Sequence, residues 1–511
     1  MTTIKEDDRY RPRYHFTPPS GWINDPNGLV YFDNEYHLFY QHLPRKHWGH
    51  AVSTDLVHWA HLPIALYPDE LGEIYSGSAV VDAEDTSGFF HGQPGMVAVF
   101  THARDMPPPE GPQVQSIAYS SDRGRTWTKY AHNPVIANFG NPDFRDPKVF
   151  WHSATHRWIL VAACGDRVRF YVSRDLKEWS YASEFGAGHG VQNVPWECPD
   201  LFELPVDGDR GRRKWVLQVS VYQRHGRADT PDYRDMQYFI GDFDGVTFTN
   251  DNFPELILWT EYGPDNYAAV SWSNIPDPDG RRLWLGWMGN WTYAHDLPTT
   301  PWQGAMTVPR QVQLRTSAEG IRLTQQPVHE LAMLREQVTT WSDRAITPDT
   351  PFLIDQPGDA LEITATFRLG TAAECGIRVR TGEIDHTTIG YDVGKGYLFI
   401  DRTQSGVTEF NPMFPGRHGG PAAPIAEMIT LHIFVDSCSV EVFGNDGSVV
   451  VTSLIFPHSG PTQLAVYAVG GDVGLVSLDL YRLRSIWEVI SSAVTATSTP
   501  PIRAAKNGLP G

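Results

Sequence analysis

Three carboxylates stand in matching contexts: Asp25 in Asn24-Asp25-Pro26, Asp146 in Arg145-Asp146-Pro147, and Glu197 in Trp196-Glu197-Cys198-Pro199. Each is followed within four residues by a strand-forming run, Leu29-Val30-Tyr31, Val149-Phe150-Trp151 and Leu201-Phe202. A carboxylate nucleophile and a carboxylic acid ~5–5.5 Å apart can cleave an acetal with retention of configuration. The two need different proton affinities, and their surroundings set them. Asp25, beside the Asn24 amide and the backbone N–H groups of Asn27-Gly28, is expected to stay ionised and act as nucleophile. Glu197 lies among Trp196, Cys198 and Pro199, where low polarity raises a carboxyl pKa and suits a general acid. Asp146, next to Arg145, is expected to be charged and pinned, fitted to stabilising positive charge or holding hydroxyls. The chemistry works only if the three converge.

The elements around them read as all-β: 45 Gly, 39 Pro and short apolar runs rich in β-branched and aromatic residues. A weak repeat sharpens this. Ser53-Thr54-Asp55-Leu56-Val57-His58-Trp59 resembles Ser121-Asp122-Arg123-Gly124-Arg125-Thr126-Trp127 and Ser173-Arg174-Asp175-Leu176-Lys177-Glu178-Trp179, with a degenerate copy from Gly241 to Phe248. Each is expected to be a hairpin turn whose aromatic ring packs into a sheet. Strand entrances recur at Asp25, Ser76, Asp146, Glu197 and Tyr267, separated by 51, 70, 51 and 70 residues. Five entrances imply a five-bladed β-propeller over residues 1–325, with all five projecting into a central channel. Asp-Pro and Glu-Cys-Pro as mere turn caps is the alternative.

Beyond Pro327 the pattern changes. Val328 to Glu336 has helical spacing and reads as part of a linker over 326–345. Strands are expected at 361–367, 377–379, 397–401, 429–435, 440–443, 449–456 and 464–468, with Asn445-Asp446-Gly447 as a hairpin turn. Together they suggest a β-sandwich over 346–490. The Thr-, Ala-, Pro- and Gly-rich segment 491–511 reads as a flexible tail.

Composition excludes several functions. A net charge of −19 without a Lys/Arg cluster argues against nucleic acid as a partner. Cys164, Cys198, Cys375 and Cys438 show neither CxxC nor ligand spacing, so neither a disulfide framework nor a zinc site is expected. His42, His47, His50, His58 and His61 read as loop and surface histidines rather than metal ligands. No run reaches the ~18 apolar residues of a membrane span. Residues 1–10 hold no apolar core of a secretory leader. The 17 Trp suit sugar faces, but sheet cores suit most of them better.

At these motifs the chain resembles glycoside hydrolase family 32, the β-fructosidases. The carriers are His15-Phe16, Trp22 to Gly28, Phe39-Tyr40-Gln41, Tyr75 to Val80, Phe144 to Lys148, Trp196 to Asp200, Tyr262 to Ala268 and Trp302 to Arg310. Leu398 to Arg402, Phe434 to Asp436 and Val440 to Phe443 extend the likeness over nearly the whole chain. The resemblance implies a propeller followed by a sandwich, Asp25 as nucleophile, Asp146 as transition-state stabiliser and Glu197 as acid/base. Asn24, Gln41, Tyr75, Ser76 and Arg145 are implied to hold the terminal fructosyl unit, with Tyr267 assigned to the same set. No cofactor or metal is implied. One departure stands out: the family commonly carries two Trp-Gly pairs on a longer loop after the position of Gln41, and here only Trp48-Gly49 remains. Trp48 is then either the aromatic wall of the pocket or a structural tryptophan, and the shorter loop should widen the mouth. Tyr75 stands where the family often has Phe.

The expected activity is release of fructose or short oligosaccharides from levan, inulin or sucrose. The alternative is a transferase in which a sugar hydroxyl captures the fructosyl-Asp25 intermediate. A non-catalytic glycan-binding propeller is disfavoured, because binding alone needs no acid/base pair. Polymeric fructans cannot enter cells, so extracellular residence is expected, with a cytoplasmic location as the alternative.

Overall fold

The repeated Asp turns set the local architecture. Asp55 Oδ1 accepts the N–H groups of Val57 and His58 at 2.9 and 2.8 Å, and Trp59 Nε1 returns to the Leu56 carbonyl at 3.1 Å. Asp175 repeats this with Lys177 and Glu178, and Trp179 Nε1 donates to Leu176. Asp122 holds Thr126 while Trp127 Nε1 donates to Gly124, and Asp244 holds Val246 and Thr247. Each copy joins the third and fourth strands of its own sheet, as the repeat predicts. This computed structural model describes residues 9–487 except 105–111, 139, 142, 223–234, 277, 356–357 and 461; the expectations for residues 1–8 and for the tail at 491–511 lie outside them.

The described chain is all-β. The first sheet runs from Gly21–Phe32 through Glu35–Leu43 and His47–Ser53 to Ala60–Leu66, and Trp302–Gln303 pairs parallel to its first strand. The second starts with Glu73–Asp82 and the third with Phe144–His152. A ten-stranded sheet contains the strands that begin at Trp196–Val206 and at Tyr267–Ser271, joined where Val206 pairs with Leu314. The five leading strands touch in sequence, and Tyr267–Ser271 returns to Gly21–Phe32, closing a ring. Cross-ties hold it: Ser78 Oγ donates to the Pro147 carbonyl at 2.9 Å and Lys148 Nζ to that of Ser271 at 2.6 Å.

The acids sit inside these strands rather than before them. In each leading strand the pairing register slips next to the site, between Ile23 and Pro26, Ile74 and Gly77, Glu197 and Asp200, and Tyr267 and Val270; opposite Arg145–Lys148 it slips between Val161 and Ala163. Such bulges re-aim side chains, and proline is tolerated there because the ladder is already interrupted. Asp146, Cys198 and Ala268 adopt positive φ of 60°, 45° and 56°, conformations costly for non-glycine residues and typical of functional sites. The Asp-Pro and Cys-Pro pairs are therefore bulges in strands, not turn caps.

After Pro327 the helical spacing yields one short 3-10 turn, His329–Leu334, with Leu331 and Leu334 buried at the three-residue spacing of that helix. The expected linker then ends early. Arg335–Ile346, with Val338, Thr339 and Thr340, is a twelve-residue strand paired with Val473–Leu483. Two six-stranded sheets follow, and their buried faces form one cluster that includes Ile363, Ile377, Ile389, Leu431, Val442 and Val466. All seven expected strands are present, and Asn445-Asp446-Gly447 makes the hairpin turn with φ of 45°, 56° and 77°. Two further strands escaped the apolar-run reading: 387–392, rich in Thr with Gly and Asp, and 473–483, whose leucines and valines are interrupted by Gly474, Ser477, Asp479 and Arg482.

Candidate active site

Asp25, in the bulge of the first strand, is held at both oxygens. Asn24 Nδ2 donates to Oδ1 at 2.9 Å and Ser76 Oγ to Oδ2 at 2.6 Å. Trp22 Nε1 in turn fixes the Asn24 amide at 3.0 Å. The Cys198 thiol lies 3.6 Å from Asp25 Oδ2 and 3.6 Å from Asp146 Oδ2, so a single sulfur bridges the two aspartates. Asp146 is buried and accepts the Cys198 backbone N–H at 3.0 Å. Arg145 Nε stands 3.9 Å from Asp146 Oδ2 and 3.1 Å from Glu197 Oε1, while its Nη1 pairs with Asp143 at 2.6 Å. The Tyr267 hydroxyl donates to Glu197 Oε2 at 2.6 Å. One unbroken run of contacts therefore carries Asp25, Cys198, Asp146, Arg145 and Glu197.

The environments of the second and third acids differ from the sequence expectation. Glu197 is not in a low-polarity setting: the backbone kink at Cys198 turns it toward Arg145 and Tyr267, away from its apolar sequence neighbours. Asp146 is the desolvated group. Burial pushes its carboxyl up to about 7; Arg145 opposes this, and Glu197 and Asp25 reinforce it. Proximity to Arg145 in sequence does not ensure a full ion pair, because the guanidinium is shared among three acids.

Among the other expected residues, Gln41 is buried with Nε2 on the Ile74 carbonyl at 3.0 Å. Tyr75 is half-exposed, and Lys46 Nζ lies 3.8 Å from its ring centre. Trp48 resolves to the structural alternative. It is fully buried, pairs across the hairpin with Gln41, and packs on Phe39 and Phe100, its Nε1 donating to the Tyr75 carbonyl at 3.0 Å. It presents no face to a sugar; the three-residue turn after Leu43 places it on the inward side. Tyr267 is also buried, so in this arrangement it supports Glu197. The histidine cluster is less superficial than expected: His50 is buried on Phe39, with its Nε2 3.0 Å from His37 Nδ1.

Cys198 is the bridging residue the motif held but the charge-based reading passed over. Trp291 and His295 were not readable either: both rings stack on Trp22, His295 at 4.4 Å, from a loop more than 260 residues away in sequence.

The chain is similar to known proteins over most of its length. Residues 15–327 match the glycosyl hydrolases family 32 N-terminal domain, and residues 330–482 match the family 32 C-terminal domain. The chain belongs to glycosyl hydrolase family 32 and is a glycoside hydrolase of the β-fructosidase class. It is 53% identical to a levanase of Bacillus subtilis (strain 168), over 94% of this chain and 71% of that protein. A levanase of Bacillus sp. (strain L7) is 44% identical, and the chain spans 53% of its length. The crystal structure of an exo-inulinase from Aspergillus awamori superposes with a TM-score of 0.85 at 35% identity, covering 95% of this chain and all of that one. A β-fructofuranosidase from Schwanniomyces occidentalis, complexed with fructosyl-erythritol, gives 0.84 at 30% identity over 95% of this chain and all of that one.

Proposed function

We propose that the protein is a retaining fructan hydrolase, with Asp25 as nucleophile, Glu197 as acid/base and Asp146 as transition-state stabiliser. The observation that carries this reading is the contact run joining all three carboxylates, each on its own strand. Asp25 has the supports a nucleophile needs: two hydrogen-bond donors fix both oxygens, and among the described residues no Lys or Arg side chain forms an ion pair with it. Glu197 is held between the Arg145 guanidinium and the Tyr267 hydroxyl, and the hydroxyl can turn from donor to acceptor as Glu197 gives up and regains a proton. Asp146, buried next to Asp25, responds to positive charge that develops at the anomeric carbon, where an oxocarbenium-like transition state places it. Asn24, Ser76, Tyr75 and Arg145 would take the hydroxyls of the terminal fructosyl unit.

The five leading strands and their sheets correspond to five propeller blades, and the two six-stranded sheets to a sandwich beginning near Arg335. Relatives named for levan and inulin make polymeric fructan the substrate class, and they favour water over a sugar hydroxyl as the acceptor. An extracellular place of action follows, as for the extracellular exo-inulinase of Aspergillus niger, 38% identical over 94% of this chain. Among the described residues no helix is long and apolar enough to cross a membrane. Chromatography of the products from levan, inulin and sucrose tests the reading: free fructose supports it, while anhydrides or lengthened oligosaccharides as main products support the transferase alternative.

A further inference from the structure

Outside the reacting groups, buried polar residues concentrate where residues 261–266 meet the second sheet region. Val449–Leu454 is the outer strand of its six-stranded sheet, and this segment lies along its free edge. Tyr262 N–H donates to the Val450 carbonyl at 2.9 Å and Asp265 N–H to that of Thr452 at 3.3 Å. In return Thr452 N–H reaches Glu261 Oε1 at 2.9 Å and Leu454 N–H reaches Asp265 Oδ2 at 2.8 Å. A Cβ on Gly263 would lie 2.2 Å from the Thr452 carbonyl oxygen, so only glycine allows this approach.

Two buried arginines seal the seam. Arg310 joins Glu261 at 2.9 Å to Glu441 across it. Arg402, from the second region, is fully buried and pairs with Asp265 Oδ2 while Nη2 donates to the Tyr293 hydroxyl at 2.8 Å. Tyr293 donates in turn to Asp265 Oδ1 at 2.6 Å, so both oxygens of Asp265 are committed. Asn266 is pinned by its Nδ2 on Glu261 Oε2 at 3.0 Å. The next residue is Tyr267, whose hydroxyl holds Glu197.

We infer that Arg402 is a positioning residue for catalysis: through Asp265 it fixes the backbone that delivers the Tyr267 hydroxyl to Glu197. The second sheet region is then a working part of the active site rather than an appended domain. The path is short and rigid. Asp265 is two residues from Tyr267, and Ala268 beyond it is locked at positive φ with its N–H on Ser220 Oγ at 3.0 Å. Proton donation tolerates little displacement, and about 1 Å of misplacement can cost ~100-fold in rate. An Arg402 that served only to glue the two regions together would affect stability and leave the chemical step alone.

The inference rests on Glu197 as the acid/base, and the test separates the two claims. Full-length Arg402→Lys, Tyr267→Phe and the double variant are compared on levan and sucrose below the unfolding temperature of each, with kcat, KM and pH–rate profiles. Arg402→Lys should lower kcat by about 10–100-fold with KM within about twofold, and shift the same limb of the pH profile that Tyr267→Phe shifts. In the Tyr267→Phe background it should cost less than about threefold more, because the hydroxyl it positions is gone. Multiplying losses in the double variant, or unchanged kcat in folded Arg402→Lys, would overturn the inference. Should Arg402→Lys not fold, Asp265→Asn is judged by the same two criteria. Glu197→Gln, measured alongside, addresses the assignment beneath: retained turnover there would remove the acid/base reading itself.

Discussion

His15 offers a sharp energetic test of how the two regions hold together. Its ring is buried, with Nδ1 2.7 Å from Asp436 Oδ2 and Nε2 2.8 Å from Glu441 Oε1. Both ring nitrogens face carboxylates, so both must donate, and the ring is an imidazolium. Burial alone would lower its pKa, but hydrogen bonds to Asp436 and Glu441 win and raise it from 6.5 to about 9. Folding therefore tightens proton binding at His15. The stabilisation is complete below pH ~6.5 and is lost as pH rises through ~9. At 1.36 kcal/mol per unit the swing is on the order of 3 kcal/mol. His15→Gln removes the charge and leaves two buried carboxylates sharing less cation, a cost of about 3–5 kcal/mol at neutral pH. Scanning calorimetry from pH 6 to 10 checks this. Wild type should lose apparent Tm steeply between pH 7 and 10, while the variant starts several degrees lower and stays flatter across that window. Parallel curves for the two proteins would refute the imidazolium clamp.

Other outcomes follow from the site. Asp25→Asn and Glu197→Gln should each lower kcat by about 1,000-fold or more with the thermal transition retained; near-wild-type turnover in either would remove its role. Asp146 has the same sign of linkage as His15 in a lower pH window: its raised pKa means that ionising it opposes folding, a penalty absent below pH ~4 and complete above ~7. Asp146→Asn should accordingly be more stable than wild type at pH 8, by on the order of 1–3 kcal/mol, yet nearly inactive. An unchanged or lowered Tm at pH 8 would contradict the burial argument. Activity should survive prolonged EDTA treatment, and loss restored by a divalent metal would reveal a requirement the residues do not suggest.

The sequence disclosed what repeats and what stands next to proline. Asp55, Asp122 and Asp175 advertised one kind of turn three times, because in each a carboxylate accepts a local backbone N–H and a tryptophan Nε1 returns to the carbonyl three residues before it. The acids at Asp25, Asp146 and Glu197 were legible because bulged strands tolerate proline, and proline marks them. Their environments were not legible. The left-handed backbone at Cys198 turns Glu197 away from its apolar sequence neighbours and toward Arg145, which is 52 positions distant. Trp48 could be assigned only from its cross-strand partner Gln41, and Trp291 only from its stacking on Trp22. Helical spacing misled at 328–336, since Leu331 and Leu334 meet the core equally well from a single 3-10 turn.

The central claim is that Asp25 and Glu197 act on one anomeric carbon through a fructosyl-enzyme. Its most direct measurement is NMR of the glycoside formed when levan is cleaved in aqueous methanol, since a methyl fructofuranoside keeps the configuration in which it leaves the enzyme. Methyl β-fructofuranoside is the predicted product. The α-anomer would mean a single inverting displacement and would contradict the account.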